Sequence, residues 1–338
     1  MMSSKLINGL PKVELHLHLE GSLRPKTMLR LAERNGVDLG VASAEELTGQ
    51  YSFRNFDDFL HLFLQGLDVL RTAEDFADAT SSLAEELAGQ NVRYAEITTT
   101  PFNHSRRNLA MADYVDGLNE GRRRAAKLGV SIGWICDIPR ELESPDAEFT
   151  VDLITGAGAP EGVIGLGLGG PEVGFPPELF ERPFAKAKEA GLAAIPHAGE
   201  TEGPDSIWGA IKVLGADRIG HGVRCLEDPA LVAYLIEHQI PLEVSMTSNV
   251  SLAVVPSIEE HPLPQLLEVG AAVTLNTDDP AYFSTTLNDE LKIASEVHGV
   301  SDAALVEMQR TAVRSAYASD DLKQEILAEL AAFDAGVA

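Results

Sequence analysis

VELHLHL at residues 13–19 is a short run of strand-favouring residues with polar side chains at alternate positions, and seven further β-rich runs follow it down the chain. They are VRYAEITTT (92–100), SIGWICDI (131–138), GVIGLGLGG (162–170), LAAIPHAGE (192–200), RIGHGV (218–223), PLEVSMTSN (241–249) and AAVTLNTDD (271–279). Helix-length stretches rich in Ala, Leu, Glu and Lys lie between most of them. Alternating strands and helices predict parallel pairing through crossover helices, and eight such units are the number that closes a barrel. An open doubly wound sheet is the rival, but it usually binds at one switch point, often through a Gly-rich phosphate loop. Here polar residues end runs spread through the whole chain, as expected where all strand ends meet at one mouth. The predicted fold is therefore α/β, a (β/α)8 or TIM barrel. A barrel of roughly 250 residues with insertions accounts for the length as a single domain over residues 1–338.

Two regions lie outside the eight units. The segment at residues 24–90 contains SFRNFDDFLHLFLQGL, in which Phe56, Phe59 and Phe63 recur at helical spacing. They read either as a buried helix face or as a lid whose aromatic edge covers an apolar substrate. After the last run come LNDELKIASEVHGV, SDAALVEMQRTAVRSAYA and SDDLKQEILAELAAF, which predict extra C-terminal helices; Ser301 and Ser319 suit the N-caps of the last two.

Asp and Glu outnumber Lys and Arg by 52 to 26, giving a net charge of −26. Such a surface repels nucleic acid polymers and anionic membranes. Cys136 and Cys225 are too few for a disulfide framework, and neither the start MMSSKLINGLPK nor any other stretch has a spanning apolar run, so a cytoplasmic protein is expected. No signal in the sequence fixes the oligomeric state.

His16 and His18 alternate along the first run, so both project to one side, where a pair of imidazoles can hold one metal ion. His197 ends the fifth run and Asp278 the eighth. Three imidazoles and one carboxylate suit zinc with a position left for water. Each residue alone could be a satisfied core group or a loop cap; four of them at strand ends that share one mouth are better explained by a metal. Hydrolysis needs an acid and a base beside the metal. Glu200, three residues past His197, and His221 are the candidates. Asp279 precedes Pro280 and reads either as a turn cap or as a substrate contact.

LPKVELHLHLEG, PHAGE, RIGHGVR, the PLEV…TSN run and NTDDP, in this order, resemble the adenosine deaminase family of the amidohydrolase superfamily. The resemblance implies one catalytic zinc held by His16, His18, His197 and Asp278. It implies that Glu200 protonates purine N1, that His221 orients and deprotonates the attacking water, that Asp279 meets N7, and that the Gly170 backbone N–H meets N3. The activity implied is hydrolytic removal of the 6-amino group from an adenine-type purine, a small-molecule partner. Glu200, His221 and the four ligands are all present, which argues against an inactive binding protein on the same scaffold.

Departures from the family pattern concern the substrate. Relatives commonly read HxHLDG, whose acid contacts the ribose 5′-hydroxyl, where this chain has Glu20. They commonly read DLAGDE where this chain has Gly167 to Glu172, and many carry Arg at the position of Thr98. The adenine deaminase branch resembles GLDSSE at the fourth run. Two glycines there suggest room for a nucleoside with a bulky 5′ substituent, such as 6-aminodeoxyfutalosine, with free adenine as the alternative. No Arg or Lys cluster stands beside the motifs to hold a phosphate. The Phe56, Phe59 and Phe63 segment is expected to cover the sugar end, with Glu20 beneath it.

Overall fold

The computed structural model describes residues 4–142 and 146–337. The eight apolar runs form eight strands: β1 (Lys12–His18), β2 (Val92–Thr99), β3 (Ser131–Pro139), β4 (Val163–Gly169), β5 (Ala193–Ala198), β6 (Ile219–His221), β7 (Leu242–Val244) and β8 (Val273–Leu275). All pair in parallel and in sequence order from β1 to β8. The ends of the sheet meet just past β8. There His18 N–H donates to Asp278 O at 2.8 Å and Asp278 N–H donates to His16 O at 3.0 Å. The result is the predicted (β/α)8 barrel, in which every β1, β5 and β8 terminus faces the same mouth.

Strand residues are buried on both faces, as helix-covered parallel sheets require. The interior is not wholly apolar. Arg218 donates from Nε to Glu243 Oε1 at 2.6 Å and from Nη2 to Glu96 Oε2, so one guanidinium neutralises two buried carboxylates from β7 and β2.

The stretch between β1 and β2 divides in two. Helices Pro25–Asn35, Ala44–Thr48 and Phe56–Gly66 are the insertion, and Ala73–Gly89 is the crossover helix that leads to β2. Local chemistry sets the boundaries. Asn55 caps Phe56–Gly66 by accepting from Asp58 N–H, and Thr72 with Asp75 forms a capping box that starts Ala73–Gly89. Ser301 caps Asp302–Ser315, and Ser319 accepts from Leu322 N–H at the head of Asp320–Val337. Among the described residues no helix is long and apolar enough to cross a membrane.

Candidate active site

The mouth of the barrel holds a cavity of about 640 Å³, counting its open entrance. Its apolar lining comes from Phe56, Phe59, Leu60, Phe63 and Leu64 of the insertion and from Leu252. Its polar lining includes His18, His197, Glu200, His221, Asp278 and Asp279. His16 lies one layer deeper, 3% exposed.

His16, His18, His197 and Asp278 each bring one donor atom into a cluster in which all four lie within 4.8 Å of one another. The Nε2 atoms of His18 and His197 are 3.2 Å apart, and His18 Nε2 is 3.3 Å from Asp278 Oδ1. The outer nitrogens show which way the lone pairs point. His16 Nδ1 faces Glu243 Oε2 at 2.9 Å and His197 Nδ1 faces Leu168 O at 3.0 Å, both acceptors, so each Nδ1 carries the proton. That leaves Nε2 of both rings as bare acceptors turned inward, and His16 Nε2 is buried with no hydrogen-bond partner. Two bare imidazole nitrogens turned toward the Asp278 carboxylate and His18 make a set of acceptors that a cation between them would satisfy. Carboxylate and carbonyl partners behind ligating imidazoles are what metal sites use to fix the tautomer. The residues therefore fit a divalent cation.

Three further groups face the same space. His221 Nε2 lies 3.7 Å from Glu200 Oε1 and 3.8 Å from Asp278 Oδ2. Burial, with the charges of Asp278 and Glu172 beside it, pushes the Glu200 carboxyl well above the usual carboxylate range, and Oε1 is unpartnered. Burial and then the neighbouring Asp278 do the same to Asp279, whose Oδ1 also lacks a partner. Burial pushes His221 down to about 4. Asp278 and His221 both hold positive φ, 65° and 61°, a conformation that costs a non-glycine residue and is commonly kept where a side chain must be aimed.

The chain pins these groups from behind. Glu172 accepts from the backbone N–H groups of Gly199, Glu200 and Thr201 at 2.8–2.9 Å, fixing the turn that carries Glu200. Ser248 donates to Asp278 Oδ2 at 2.6 Å. A Cβ on Gly21 would overlap the Asp279 carboxylate, so the glycine of the LEG triplet makes room for Asp279. Asp279 caps the following turn through its backbone oxygen, which accepts from Tyr282 and Phe283 N–H, and its side chain stays in the cavity.

The structure brings Phe56, Phe59 and Gly170 to the cavity wall, Gly170 with φ of 92°. Both readings of the phenylalanines hold at once. Phe59 packs on Phe63, Tyr282 and Phe283 while also lining the cavity. Glu20 is not brought there. It sits behind Thr100, 2% exposed, and its Oε1 accepts from Thr99 Oγ1 at 2.8 Å, Thr100 N–H at 3.2 Å and His104 Nε2 at 2.8 Å. Of the two glycines that end the fourth run, Gly169 opens no space for substrate, whereas a Cβ on Gly170 would meet nothing closer than 3.3 Å. A Cβ on Gly167 or Gly169 would run into the carboxylate of Asp137, which comes from β3, lines the cavity and lies 4.0 Å from His197 Nδ1. Sequence reasoning missed Asp137, Glu172 in its supporting role, and Ser248; the available signal was the glycine pair itself and the TSN run.

Comparison with known proteins agrees with this geometry. The family model described as adenosine deaminase matches residues 11–333. The chain is 40% identical over 331 residues to an aminodeoxyfutalosine deaminase of Streptomyces avermitilis, covering 97% of this chain and 92% of the relative. Among solved structures, an adenine deaminase from Arthrobacter aurescens superposes with a TM-score of 0.93 at 38% identity, covering 96% of this chain and 99% of that one. An amidohydrolase from Burkholderia ambifaria, solved with bound zinc, superposes with a TM-score of 0.89 at 29% identity, covering 98% and 92%. A match over nearly the whole barrel, on top of a cluster of four donor groups flanked by a buried carboxyl and an imidazole, means that this chain belongs to the adenosine deaminase family.

Proposed function

We propose that the chain is a purine aminohydrolase that replaces the 6-amino group of an adenine-type purine with oxygen from water and releases ammonia. The observation that carries the reading is the convergence of His16, His18, His197 and Asp278 with Glu200, His221 and Asp279 on one cavity. The ligand set of three imidazoles and one carboxylate suits one zinc ion per chain. Such an ion, when bound, supplies Lewis acidity that brings the pKa of water at its open position from 15.7 to about 7.

The protein groups do the rest. Glu200, held protonated by its surroundings, gives its proton to ring N1 and makes C6 electrophilic. His221 orients the attacking oxygen. As the C6–O bond forms, one water proton restores Glu200 and the other reaches the amino nitrogen; the C6–N bond then breaks with its electron pair on nitrogen, so ammonia leaves and C6=O with N1–H remains. Asp279, whose carboxyl burial pushes well above the usual range, can donate to N7, and Gly170 on the cavity wall is suited to offer its N–H to N3. The whole chain acts as one domain in this reading, since residues from β1, β4, β5 and β6 and from the turn after β8 build a single site.

A nucleoside with an apolar 5′ end fits best, because Phe56, Leu60 and Leu64 of the insertion line the cavity beside the polar groups. Free adenine is the second reading, favoured by the withdrawal of Glu20 from the cavity and the filling of the glycine space by Asp137. No Lys or Arg is among the described lining residues, so a phosphate has no cationic partner. The net charge of −26 argues against a nucleic acid partner, and two buried free cysteines accord with a reducing cytoplasm. Rates of adenine-band loss on adenine, adenosine, 2′-deoxyadenosine, 5′-methylthioadenosine and 6-aminodeoxyfutalosine test the reading. The 5′-modified nucleosides should be fastest. No deamination of any of the five would refute it.

A further inference from the structure

His221 turns Nε2 toward Glu200 and Asp278, and its other ring nitrogen, Nδ1, lies 3.2 Å from Asn249 Nδ2. A neutral imidazole has one proton. If it sits on Nδ1, Nε2 can take a proton from the attacking water; if it sits on Nε2, the ring can only donate a hydrogen bond toward the reaction.

The hydrogen bonds behind the ring decide between the two. They begin at a group whose role cannot change, the backbone N–H of Leu263, which donates to His261 Nδ1 at 3.1 Å. His261 must therefore carry its proton on Nε2, and that nitrogen lies 3.2 Å from Asn249 Oδ1. With the amide oxygen committed to His261, the NH₂ of Asn249 faces His221 and donates to Nδ1. His221, Asn249 and His261 are all at least 99% buried. Each partner is thus set by its neighbour inside the protein. A proton on Nδ1 would set one N–H against another.

We infer that Asn249 and His261 are positioning residues that lock His221 with its proton on Nε2, so that His221 meets the reacting oxygen as a hydrogen-bond donor. The inference rests on the active-site reading above and refines one role within it. Accepting the water proton then falls to a carboxylate beside Nε2, either Asp278 or Glu200 once it has given its own proton to N1.

Two-bond ¹H–¹⁵N spectra of the zinc-loaded enzyme with ¹⁵N-labelled histidine read the tautomer directly, the His221 signals being assigned by their loss in His221→Gln. The expected result is an unprotonated Nδ1 and a protonated Nε2. Asn249→Asp has the same shape but presents only acceptors, so it should draw the proton to Nδ1 and lower kcat by about 10² to 10⁴-fold with a much smaller change in KM. His261→Gln still offers an N–H to Asn249 Oδ1 and should lose less than His261→Leu. A wild-type spectrum with Nδ1 protonated would overturn the inference, even if Asn249→Asp fails to fold. So would wild-type kcat in a folded Asn249→Asp with full metal content. Failure of the functional reading would show differently, as wild-type protein that deaminates no purine while the spectrum still reports the tautomer.

Discussion

A carboxyl group that is to give up a proton at neutral pH must be kept from ionising beforehand, and Glu200 meets that need through burial and the facing charge of Asp278. Glu200→Gln keeps the shape and removes the acid. It should retain metal while lowering kcat by about 10² to 10⁴-fold, measured as turnover against metal content; near-normal turnover would remove Glu200 from its role. At this scale the sequence was legible where chemistry coincides with strand periodicity. His16 and His18 share a side because side chains alternate, and His197 and His221 lie at the ends of β5 and β6 with Asp278 just past β8. Asp137 was not legible, because its meaning lies on another strand. It pairs in register with Gly167, and the missing side chain on β4 is the space its carboxylate takes. Glu20 shows the opposite failure. An acid next to the HLHL motif reads as a sugar contact, but its extra reach is spent on Thr99 and His104 behind the wall.

Elements carry the site by holding their ends in register, and helix packing does part of that. Ala73–Gly89 crosses Met111–Lys127 so closely that a Cβ on Gly117 would stand 2.6 Å from Ala73 O and from Phe76 Cβ. Replacing a helical glycine by alanine gains up to about 1 kcal/mol in propensity, while forcing a methyl into a filled interface costs about 1–3 kcal/mol. The clash involves backbone, so the cost wins. Gly117→Ala should lower the melting temperature by a few degrees, and Gly89→Ala, with nothing within 4 Å, should hold or raise it. Equal melting temperatures would mean the two helices part without penalty. The aromatic insertion was legible as a helix from Phe56, Phe59 and Phe63. Where it stops was less so: residues 24–90 read as one insertion, whereas the capping box at Thr72 and Asp75 hands the last helix to the barrel.

For the whole molecule, eight β-rich runs separated by helix-length stretches were enough to reach the barrel, because parallel strands need crossovers and eight close the sheet. The closure itself depends on contacts no local pattern announces, the paired hydrogen bonds between Asp278 and the end of β1. Those same bonds seat Asp278, a member of the candidate metal cluster, so fold and site are made by one joint. The described donor groups form two overlapping sets, His16, His18, His197 with Asp278, and Glu200, His221 with Asp278. The account gives a metal to the first and keeps Glu200 and His221 free to handle protons. The direct test is to strip the enzyme with a chelator and add zinc back while measuring bound metal and loss of the adenine band together. Activity should be absent in the stripped chain and rise linearly to its full value at one zinc per chain. Full activity without metal, or a rise that completes only at two equivalents, would contradict the account.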